Sequence, residues 1–292
     1  MAETSFEKKI NETYNRALKD GGLLYFENTV IDKVENDIEF QIRLAPSLAK
    51  KPTDNIGKRE IIAYPNNANN NDKPKVVPKV DPFAPYDQQL FVEEYEKYII
   101  LLNKYCIIPK HLLVVTKEYE SQANPLNPND FDAFQSHKHM QILTLSDDPP
   151  MNSPIYTIHD KKPGEIFELA ELPFIHYVSF IDPPKLCDNE SSDNKSSDDD
   201  GPSQYLNKIF HSMLSVLIEN LHNQILSSEE GENEEEGKSS FKTLSYNFIM
   251  TQKWMMIVPR CNSTHEQQID INSLGFAGML LAKKVAIPKK NL

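Results

Sequence analysis

Residues 98–116 read YIILLNKYCIIPKHLLVVT, and this stretch decides the fold class of the chain. It contains two apolar runs, residues 98–105 and 111–116, whose composition is typical of β-strands. The connection between them is short and contains Pro109, which does not continue a strand interior. Such a short connection favours antiparallel pairing, because parallel strands need a crossover of about a dozen residues or more. We therefore expect an antiparallel sheet.

Patterns along the rest of the chain predict an α+β fold. Apolar residues at helical spacing predict helices at residues 4–19 and 204–226. Further strands are predicted at residues 23–29, 38–44, 137–145, 176–181, 246–251 and 254–259. Residues 45–85 lack periodicity and are expected to form a long loop. The expected fold is a single domain over residues 1–292, with a mainly antiparallel sheet and flanking helices.

Negative charge is concentrated in two stretches of the sequence. The formal net charge is −12, but residues 188–201 and 227–238 each contain six acidic residues and one lysine. The remainder is nearly neutral, so local lysines can still hold phosphate groups. We expect disordered acidic insertions at about residues 188–203 and 227–240. No basic stripe stands out in the sequence, and a nucleic-acid partner is therefore not expected.

Composition also bounds the cellular compartment. The three cysteines, Cys106, Cys187 and Cys261, form no CxxC pair, which argues against a disulfide framework or a structural zinc site. The N-terminus is polar and helix-like rather than a signal peptide, and no apolar run approaches the length of a membrane span. We expect a cytoplasmic protein, with the nucleus as a second compartment, and no membrane partner.

The most chemically informative motif is HKHMQ at residues 137–141. On a strand, His137, His139 and Gln141 share one face, because alternate residues point the same way. A neutral imidazole is a good nucleophile near neutral pH when its second ring nitrogen donates to a fixed acceptor. His139 is therefore a candidate nucleophile that attacks phosphorus, with His137 in support. Gln141 can donate an amide hydrogen to a phosphate oxygen beside it.

Two other interpretations of the histidine pair stay open on the pattern alone. A His-x-His pair on a strand is also a common metal site, which would make the chain a metal-dependent hydrolase. The third ligand would then be one of His111, His159 and His176, although none has a diagnostic spacing. A purely structural pair is the second alternative.

Beyond this motif, the chain resembles the diadenosine tetraphosphate (Ap4A) phosphorylases of fungi, also called ATP adenylyltransferases. These belong to the histidine-triad-like superfamily, alongside the galactose-1-phosphate uridylyltransferases. The resemblance is collinear from about residue 46 to residue 284. It is carried by PSL (46–48), DPF (81–83), LLNKYCIIPKHLLVVTKEYESQ (101–122), HKHMQ (137–141), LPFIHYV (172–178), YNFIMTQKWMMIVPR (246–260) and INSLGFAGMLLAK (271–283).

The resemblance implies a histidine-triad-like fold and a reversible reaction in two steps. Ap4A donates AMP to His139 and releases ATP, and orthophosphate then takes the AMP to give ADP. The implied partners are nucleotides (Ap4A, ATP and ADP) and phosphate or sulfate. No covalent cofactor is implied, and Mg²⁺ is expected to arrive with the nucleotide. The chain is expected to act as a monomer.

The resemblance also assigns substrate-binding roles to the residues that match the family's motif positions. These are Lys51, Asn103, Lys104, Gln141, Asn272, Ser273, Leu274, Met279 and Lys283. The lysines among them supply the positive charge that a tetraphosphate requires. Three large apolar residues of the matching segments, Tyr246, Trp254 and Met256, are instead expected to lie in the core.

One departure from the family lies directly before the histidine motif. Family members have there a helix, a strand and a Gly/Ser-rich loop whose backbone N–H groups hold phosphates. Here residues 128–133 run straight into residues 134–137, so one strand and one helix are expected to be missing from the fold. The alternative function is therefore a catalytically impaired nucleotide-binding paralogue, or an incomplete gene model that lacks the loop.

Overall fold

A computed structural model describes most of the chain. The described residues are 3–50, 85–118, 140–145, 148–182, 201–228, 245–260, 264–265 and 269–283. They form an α+β structure with two four-stranded sheets, one three-stranded sheet and two smaller strand pairs. No helix among the described residues has both the length and the apolar character needed to cross a membrane.

The helices are α1 (Ser5–Lys19), α2 (Asn152–Tyr156), α3 (Pro202–Ser228) and α4 (Ser273–Phe276), and two 3-10 helices span Pro46–Lys50 and Gln88–Leu90. The strands are β1 (Leu24–Tyr25), β2 (Thr29–Glu35), β3 (Ile38–Leu44), β4 (Phe91–Tyr95), β5 (Tyr98–Leu102), β6 (Tyr105–Cys106), β7 (Leu112–Thr116), β8 (Met140–Ile142), β9 (Ile166–Phe167), β10 (Tyr177–Phe180), β11 (Tyr246–Met250), β12 (Trp254–Pro259), β13 (Thr264–His265), β14 (Ile269–Asp270) and β15 (Met279–Ala282).

Helix α1 forms where the apolar spacing predicts it. Thr4 is its N-cap: the Thr4 hydroxyl accepts from the Glu7 N–H at 3.2 Å, and the Glu7 carboxylate accepts from the Thr4 N–H at 2.7 Å. The buried side of the helix, with Tyr14 and Ala17, packs against Leu102 and other residues of the first four-stranded sheet. Helix α1 therefore covers one face of that sheet.

The N-terminal sheet has the strand order β4-β5-β7-β8 and is antiparallel throughout. Strands β5 and β7 confirm the predicted pairing, with Leu102 opposite Leu112. Strand β8 lies on the outer side of β7, with Gln141 opposite Leu113. Among the described residues no further strand pairs with β8, so it is an edge strand there.

The C-terminal sheet has the strand order β11-β12-β10-β9 and is also antiparallel. Helix α3 packs on one face, where Phe210 and Met213 are fully buried against Met255. The opposite face holds Trp254, whose indole N–H donates to the Asn152 Oδ1 at 2.7 Å. The predicted core positions are confirmed for Trp254 and Met256, which are fully buried, whereas Tyr246 is half-buried and packs against the core from β11.

The three-stranded sheet joins the two ends of the described chain. Strand β15 pairs in parallel with β3, and β2 pairs with β3 in antiparallel fashion. Gly278 precedes β15 with φ +83°, and a Cβ there would lie 2.7 Å from the Pro150 Cβ and 3.1 Å from the Glu39 carbonyl oxygen. This close approach requires glycine, since any side chain would meet both steric conflict and left-handed strain.

The predicted strand at residues 23–29 is wrong in its extent. The chain there forms the two-residue strand β1, which pairs in parallel with β6, and β2 begins only at Thr29. The interruption has a local cause, because the Asn28 side chain donates to the Phe26 and Ile107 carbonyls at 3.1 and 2.8 Å. A side chain that bonds to its own backbone in this way competes with strand pairing.

The predicted acidic insertions are too wide at the ends that flank α3. Residues 183–200 and 229–244 lie outside the described residues, but Pro202 and Ser203 are helical, as are Ser227 and Ser228. Proline is favoured in the first turn of a helix, where its missing N–H costs no hydrogen bond. Pro202, directly after Gly201, is therefore a suitable first residue of the helix.

Candidate functional site

Three of the predicted site residues, Lys51, His137 and His139, lie outside the described residues. His139 directly precedes Met140, the first residue of β8. The predicted strand through the histidine motif is confirmed for Met140–Ile142.

Gln141 lies on the face of the N-terminal sheet that α1 does not cover. It is opposite Leu113 of β7, which is in turn opposite Leu101 of β5. By strand alternation Asn103 and His111 share this face, and the Asn103 N–H extends the ladder by donating to the His111 carbonyl at 2.7 Å. Gln141 is exposed, so its amide is available to a ligand.

The side chain of Asn103 fixes the start of the connection between β5 and β7. Its Oδ1 accepts from the Tyr105 N–H at 3.1 Å, and its Nδ2 lies 3.3 Å from the His111 Nδ1. An amide nitrogen can only donate, so this contact is a hydrogen bond in the tautomer whose Nδ1 carries no proton. Asn103 is therefore a pre-organised residue whose orientation is set before any ligand arrives.

Lys104 is exposed and lies beside one acidic residue. Its Nζ is 4.0 Å from the Asp87 Oδ2, and the two side chains are 45% and 39% exposed. Asp87 also caps the 3-10 helix that follows it, by accepting from the Gln89 N–H at 3.0 Å. An exposed pair of this kind is weak, so Lys104 can exchange Asp87 for a phosphate.

Cys106 lies in the same connection but is not a nucleophile. Its Sγ donates to the Asn103 carbonyl at 3.0 Å, and the residue is fully buried. Burial raises the pKa of the Cys106 thiol to about 11. The thiol therefore stays protonated at neutral pH and contributes to packing.

Asn272, Ser273 and Leu274 form the start of α4. The Asn272 Oδ1 caps the helix by accepting from the Leu274 and Gly275 N–H groups at 3.1 and 3.3 Å. Asn272 thus shapes this turn, while Ser273 and Leu274 are half-buried beside it. The structure brings these three residues together as expected.

Asn247 is a polar residue of this region that sequence reasoning missed. It lies on β11, is 5% exposed, and accepts from the Ser273 hydroxyl at 3.4 Å. Its Nδ2 is buried and has no hydrogen-bond partner within the described part of the chain. The signal that could have revealed it is a single amide within the apolar run YNFIM of residues 246–250.

Met279 and Lys283 lie at the two ends of β15. Met279 is 6% exposed and opposite Gln41, whereas Lys283 is exposed directly after the strand. The Ala45 N–H donates to the Ala282 carbonyl at 2.9 Å, so Lys283 lies beside the 3-10 helix that leads to Lys51.

Two contacts bring these separate segments together. An apolar cluster packs the 3-10 helix against the connection that carries Asn103 and Lys104; its members are Phe26, Ala45, Leu48, Tyr105 and Ile107. The Met151 N–H donates to the Ala277 carbonyl at 3.2 Å, which holds α4 and β15 against the loop after β8. The described site residues therefore come from both halves of the chain.

His176 is not available as the third ligand of the metal-site interpretation. His176 is 1% exposed; its Nε2 accepts from the Leu169 N–H at 2.8 Å, and its Nδ1 donates to the Phe174 carbonyl at 2.7 Å. Both ring nitrogens are thus occupied, and burial lowers the pKa of His176. Among the described residues no group of three His, Cys, Asp or Glu side chains could hold a metal ion.

Two family models match the chain in sequence order. The Ap4A phosphorylase N-terminal domain matches residues 1–135, and the ATP adenylyltransferase C-terminal domain matches residues 170–289. The chain belongs to the Ap4A phosphorylase / ATP adenylyltransferase family. The segment between the two matches contains His139 and Gln141.

Two relatives in this enzyme family come from Saccharomyces cerevisiae. The chain is 26% identical to diadenosine 5',5'''-P1,P4-tetraphosphate phosphorylase 2, covering 97% of this chain and 89% of the relative. It is 25% identical to Protein APA1, covering 94% and 85%. Yeast Ap4A phosphorylase Apa2 has the same fold, with a TM-score of 0.64 at 22% identity over 97% of this chain and 91% of Apa2. The crystal structures of Apa2 in complex with AMP and with Ap4A are also similar, each with a TM-score of 0.61 at 22% identity over 98% of this chain. The match covers 90% of Apa2 in the AMP complex and 91% in the Ap4A complex.

Proposed function

We propose that this chain is a nucleotidyltransferase that catalyses the phosphorolysis of Ap4A to ADP and ATP through His139. The observation that carries the proposal is the position of β8 within a member of this family. The strand begins directly after His139 and presents Gln141 on the sheet face that also carries Asn103. A relative and a solved structure are named as Ap4A phosphorylases, and Apa2 was solved in complex with Ap4A.

The proposed reaction has two displacements at the same phosphorus. An imidazole nitrogen of His139 attacks the α-phosphorus of one adenosine, a P–N bond forms, and the P–O bond to ATP breaks. An oxygen of orthophosphate then attacks the same phosphorus, the P–N bond breaks, and ADP leaves. The imidazole is regenerated, and the reverse sequence makes Ap4A from ATP and ADP.

The surrounding residues have roles that suit their chemistry. Gln141 donates its amide N–H to an oxygen of the phosphorus under attack and cannot shuttle a proton. Lys51, Lys104 and Lys283 supply positive charge to the phosphates, and Mg²⁺ arrives with the nucleotide rather than in a protein site. Asn103 and the start of α4, at Asn272, Ser273 and Leu274, contact the nucleoside and fix its position, and Met279 lines the site.

A second candidate function is nucleotide binding without turnover. It is favoured by the short connection of residues 117–139 between β7 and β8, and by the edge position of β8 among the described residues. A family member with an additional strand and phosphate loop here has more backbone donors for the transition state. Loss of such donors can cost on the order of a hundredfold in rate or more.

Product analysis separates the two functions. The purified chain is incubated with Ap4A and phosphate, and ATP and ADP are quantified over time. Equal formation of ATP and ADP, abolished by His139→Ala and retained by His159→Ala, supports the transferase. His159 is a suitable control because it is an exposed histidine outside the site. Nucleotide binding by calorimetry with no ATP or ADP formed would establish the second function instead.

A further inference from the structure

Arg43 is a cation of the three-stranded sheet that is not among the predicted site residues. It lies on β3, opposite Val30 of β2 on one side and Leu281 of β15 on the other. Val30 and Leu281 are 43% and 49% exposed, so solutes can reach this face of the sheet. Arg43 itself is half-buried.

The guanidinium of Arg43 is held by neutral groups in its described surroundings. Its Nη2 donates to the Gln41 Oε1 at 2.7 Å, and its Nη1 donates to the Asn28 Oδ1 at 3.4 Å. The Nε–H is buried and has no hydrogen-bond partner among the described residues. Asp32 and Glu39 share this face of the sheet, but within the described part of the chain neither forms an ion pair with Arg43.

A partly buried positive charge without a counter-ion is unfavourable, because its lost hydration is not offset by an ion pair. The chain contains 43 acidic residues and has a net charge of −12, so a carboxylate partner could readily have been supplied. A guanidinium has five N–H bonds, and neutral acceptors engage two of those of Arg43. The arrangement leaves donors that match an external anion.

Arg43 also lies between two residues expected to bind the nucleotide. Met279 is opposite Gln41, two residues before Leu281, and Lys283 follows β15 two residues after Leu281. By strand alternation Met279, Arg43 and Lys283 lie on the same face of the parallel β3–β15 pair.

Asn28 links the guanidinium to a second part of the site. Besides accepting from Arg43, it donates to the Ile107 carbonyl at 2.8 Å. Ile107 belongs to the connection that begins with Asn103 and Lys104. Asn28 thus joins Arg43 to the connection that carries the other group of expected nucleotide contacts.

We propose that the Arg43 guanidinium binds a phosphate group of the nucleotide through its unoccupied N–H groups. This inference rests on the proposed function, because the phosphate belongs to the same nucleotide. Arginine suits this role, since its planar fork donates two parallel hydrogen bonds to phosphate and it stays charged at any physiological pH. The ligand class is a nucleoside polyphosphate.

Equilibrium binding of ATP and of adenosine to the full chain, measured by calorimetry, tests the proposal. R43Q should weaken ATP binding on the order of tenfold or more and leave adenosine binding unchanged. R43K keeps the charge without the fork and should give an intermediate loss. The dependence of the ATP Kd on NaCl should become shallower in R43Q, because one screened contact is lost.

Two further variants keep the test specific. K33Q removes one charge from the opposite face of the same sheet, where Lys33 is paired with Glu35 at 2.7 Å, and should leave ATP binding unchanged. N28A removes the acceptor that holds the guanidinium but not the charge. Equal losses in N28A and R43Q that extend to adenosine would mean that Arg43 only braces the sheet, and the proposal would be wrong.

The remaining outcomes are also decisive. If the wild-type chain binds ATP and R43Q binds it equally well, the proposed binding of phosphate by Arg43 is wrong, while the proposed function of the chain stands. If the wild-type chain binds no nucleotide, both are wrong.

Discussion

The two four-stranded sheets each contain three antiparallel strands that are neighbours in chain order, β9-β10-β12 and β5-β7-β8, but among the described residues only the first set has a further strand on its outer side. In the C-terminal sheet the order β9-β10-β12 is completed by β11, which pairs on the outer side of β12, and the 27-residue helix α3 precedes β11 in the chain. In the N-terminal sheet the equivalent order β5-β7-β8 ends at β8 among the described residues. The chain between β7 and β8 spans only residues 117–139.

The two sheets also differ in the burial of the strands β12 and β8. In β12, residues Trp254 to Val258 are all buried and apolar, and both faces of the strand are packed. In β8, Gln141 is exposed, and the strand begins directly after His139 in the sequence. In the C-terminal sheet, here called the closed sheet, β12 therefore supports the fold. The exposed part of the N-terminal sheet around Gln141, here called the open face, can receive a ligand.

The largest expected effect on stability is in the closed sheet. Trp254→Ala should lower the free energy of unfolding by about 3–5 kcal/mol, because it leaves a cavity and an unsatisfied Asn152 amide oxygen. Trp254→Phe keeps most of the packing and should cost clearly less. Urea denaturation measures both, and equal losses would contradict a packing role for the indole.

A second effect concerns the junction between the sheets. Gly278→Ala should destabilise by about 2–3 kcal/mol or more, since left-handed strain adds to contact with Pro150 and the Glu39 carbonyl. Gly164 has a φ of +86°, but a Cβ added there would meet nothing within 4 Å, so Gly164→Ala should show the strain alone. Similar losses at both glycines in thermal unfolding would disprove the steric part of this account.

A third effect is a pH dependence of the free energy of unfolding, caused by His176 directly before β10 of the closed sheet. Burial lowers the pKa of His176 below its ordinary value of 6.5, so the unfolded chain binds this proton first as the pH falls. Stability is therefore complete above about pH 6.5 and declines from there towards the lower pKa of the folded state. Protonation would also break the bond from the Leu169 N–H.

Urea midpoints of the wild type and His176→Gln at about pH 7.5 and about pH 5.5 measure this contribution. The wild type should lose more stability on acidification than the variant. Parallel losses in the two proteins would show that His176 does not contribute.

The smallest effect on stability is expected at the open face. Gln141→Ala should change the free energy of unfolding by less than about 0.5 kcal/mol, because the residue is exposed. It should nevertheless raise the KM for Ap4A on the order of tenfold, through a lost hydrogen bond to phosphate. Thr144→Ala, at another exposed residue after β8, should change neither quantity. A stability loss without a change in KM would reverse the comparison between the sheets.

Local periodicity is enough to predict the elements that are long or joined by short turns. These include α1, the β5–β7 pair, α3 and the β11–β12 hairpin. It misses β15, because the parallel pairing of β15 with β3 joins distant parts of the chain and leaves no local pattern. It also misses β2, which pairs with β3 across the short turn at Asn36 and Asp37 but has no buried face to give an alternating pattern. The extent of the strand at residues 23–29 is wrong for a different reason, the side-chain bonds of Asn28.

The site is predictable in part from chemistry and in part from resemblance. The histidine motif stands out by itself, because alternation on a strand places His139 and Gln141 on one face. Lys104, Ser273 and Lys283 have no such local signal and can be assigned only through the resemblance. Arg43 is missed, since its hydrogen bonds to the neutral Gln41 and Asn28 side chains become visible only when the sheet is assembled.

The most direct test of the central claim is to trap the proposed intermediate. The wild-type chain is mixed with Ap4A without phosphate, quenched with alkali and analysed by peptide mass mapping. We predict AMP on His139, in an acid-labile and alkali-stable linkage that disappears with formation of ADP when phosphate is added. Conversion of Ap4A to ATP and ADP with no adduct, or with AMP on a different residue, would contradict the account.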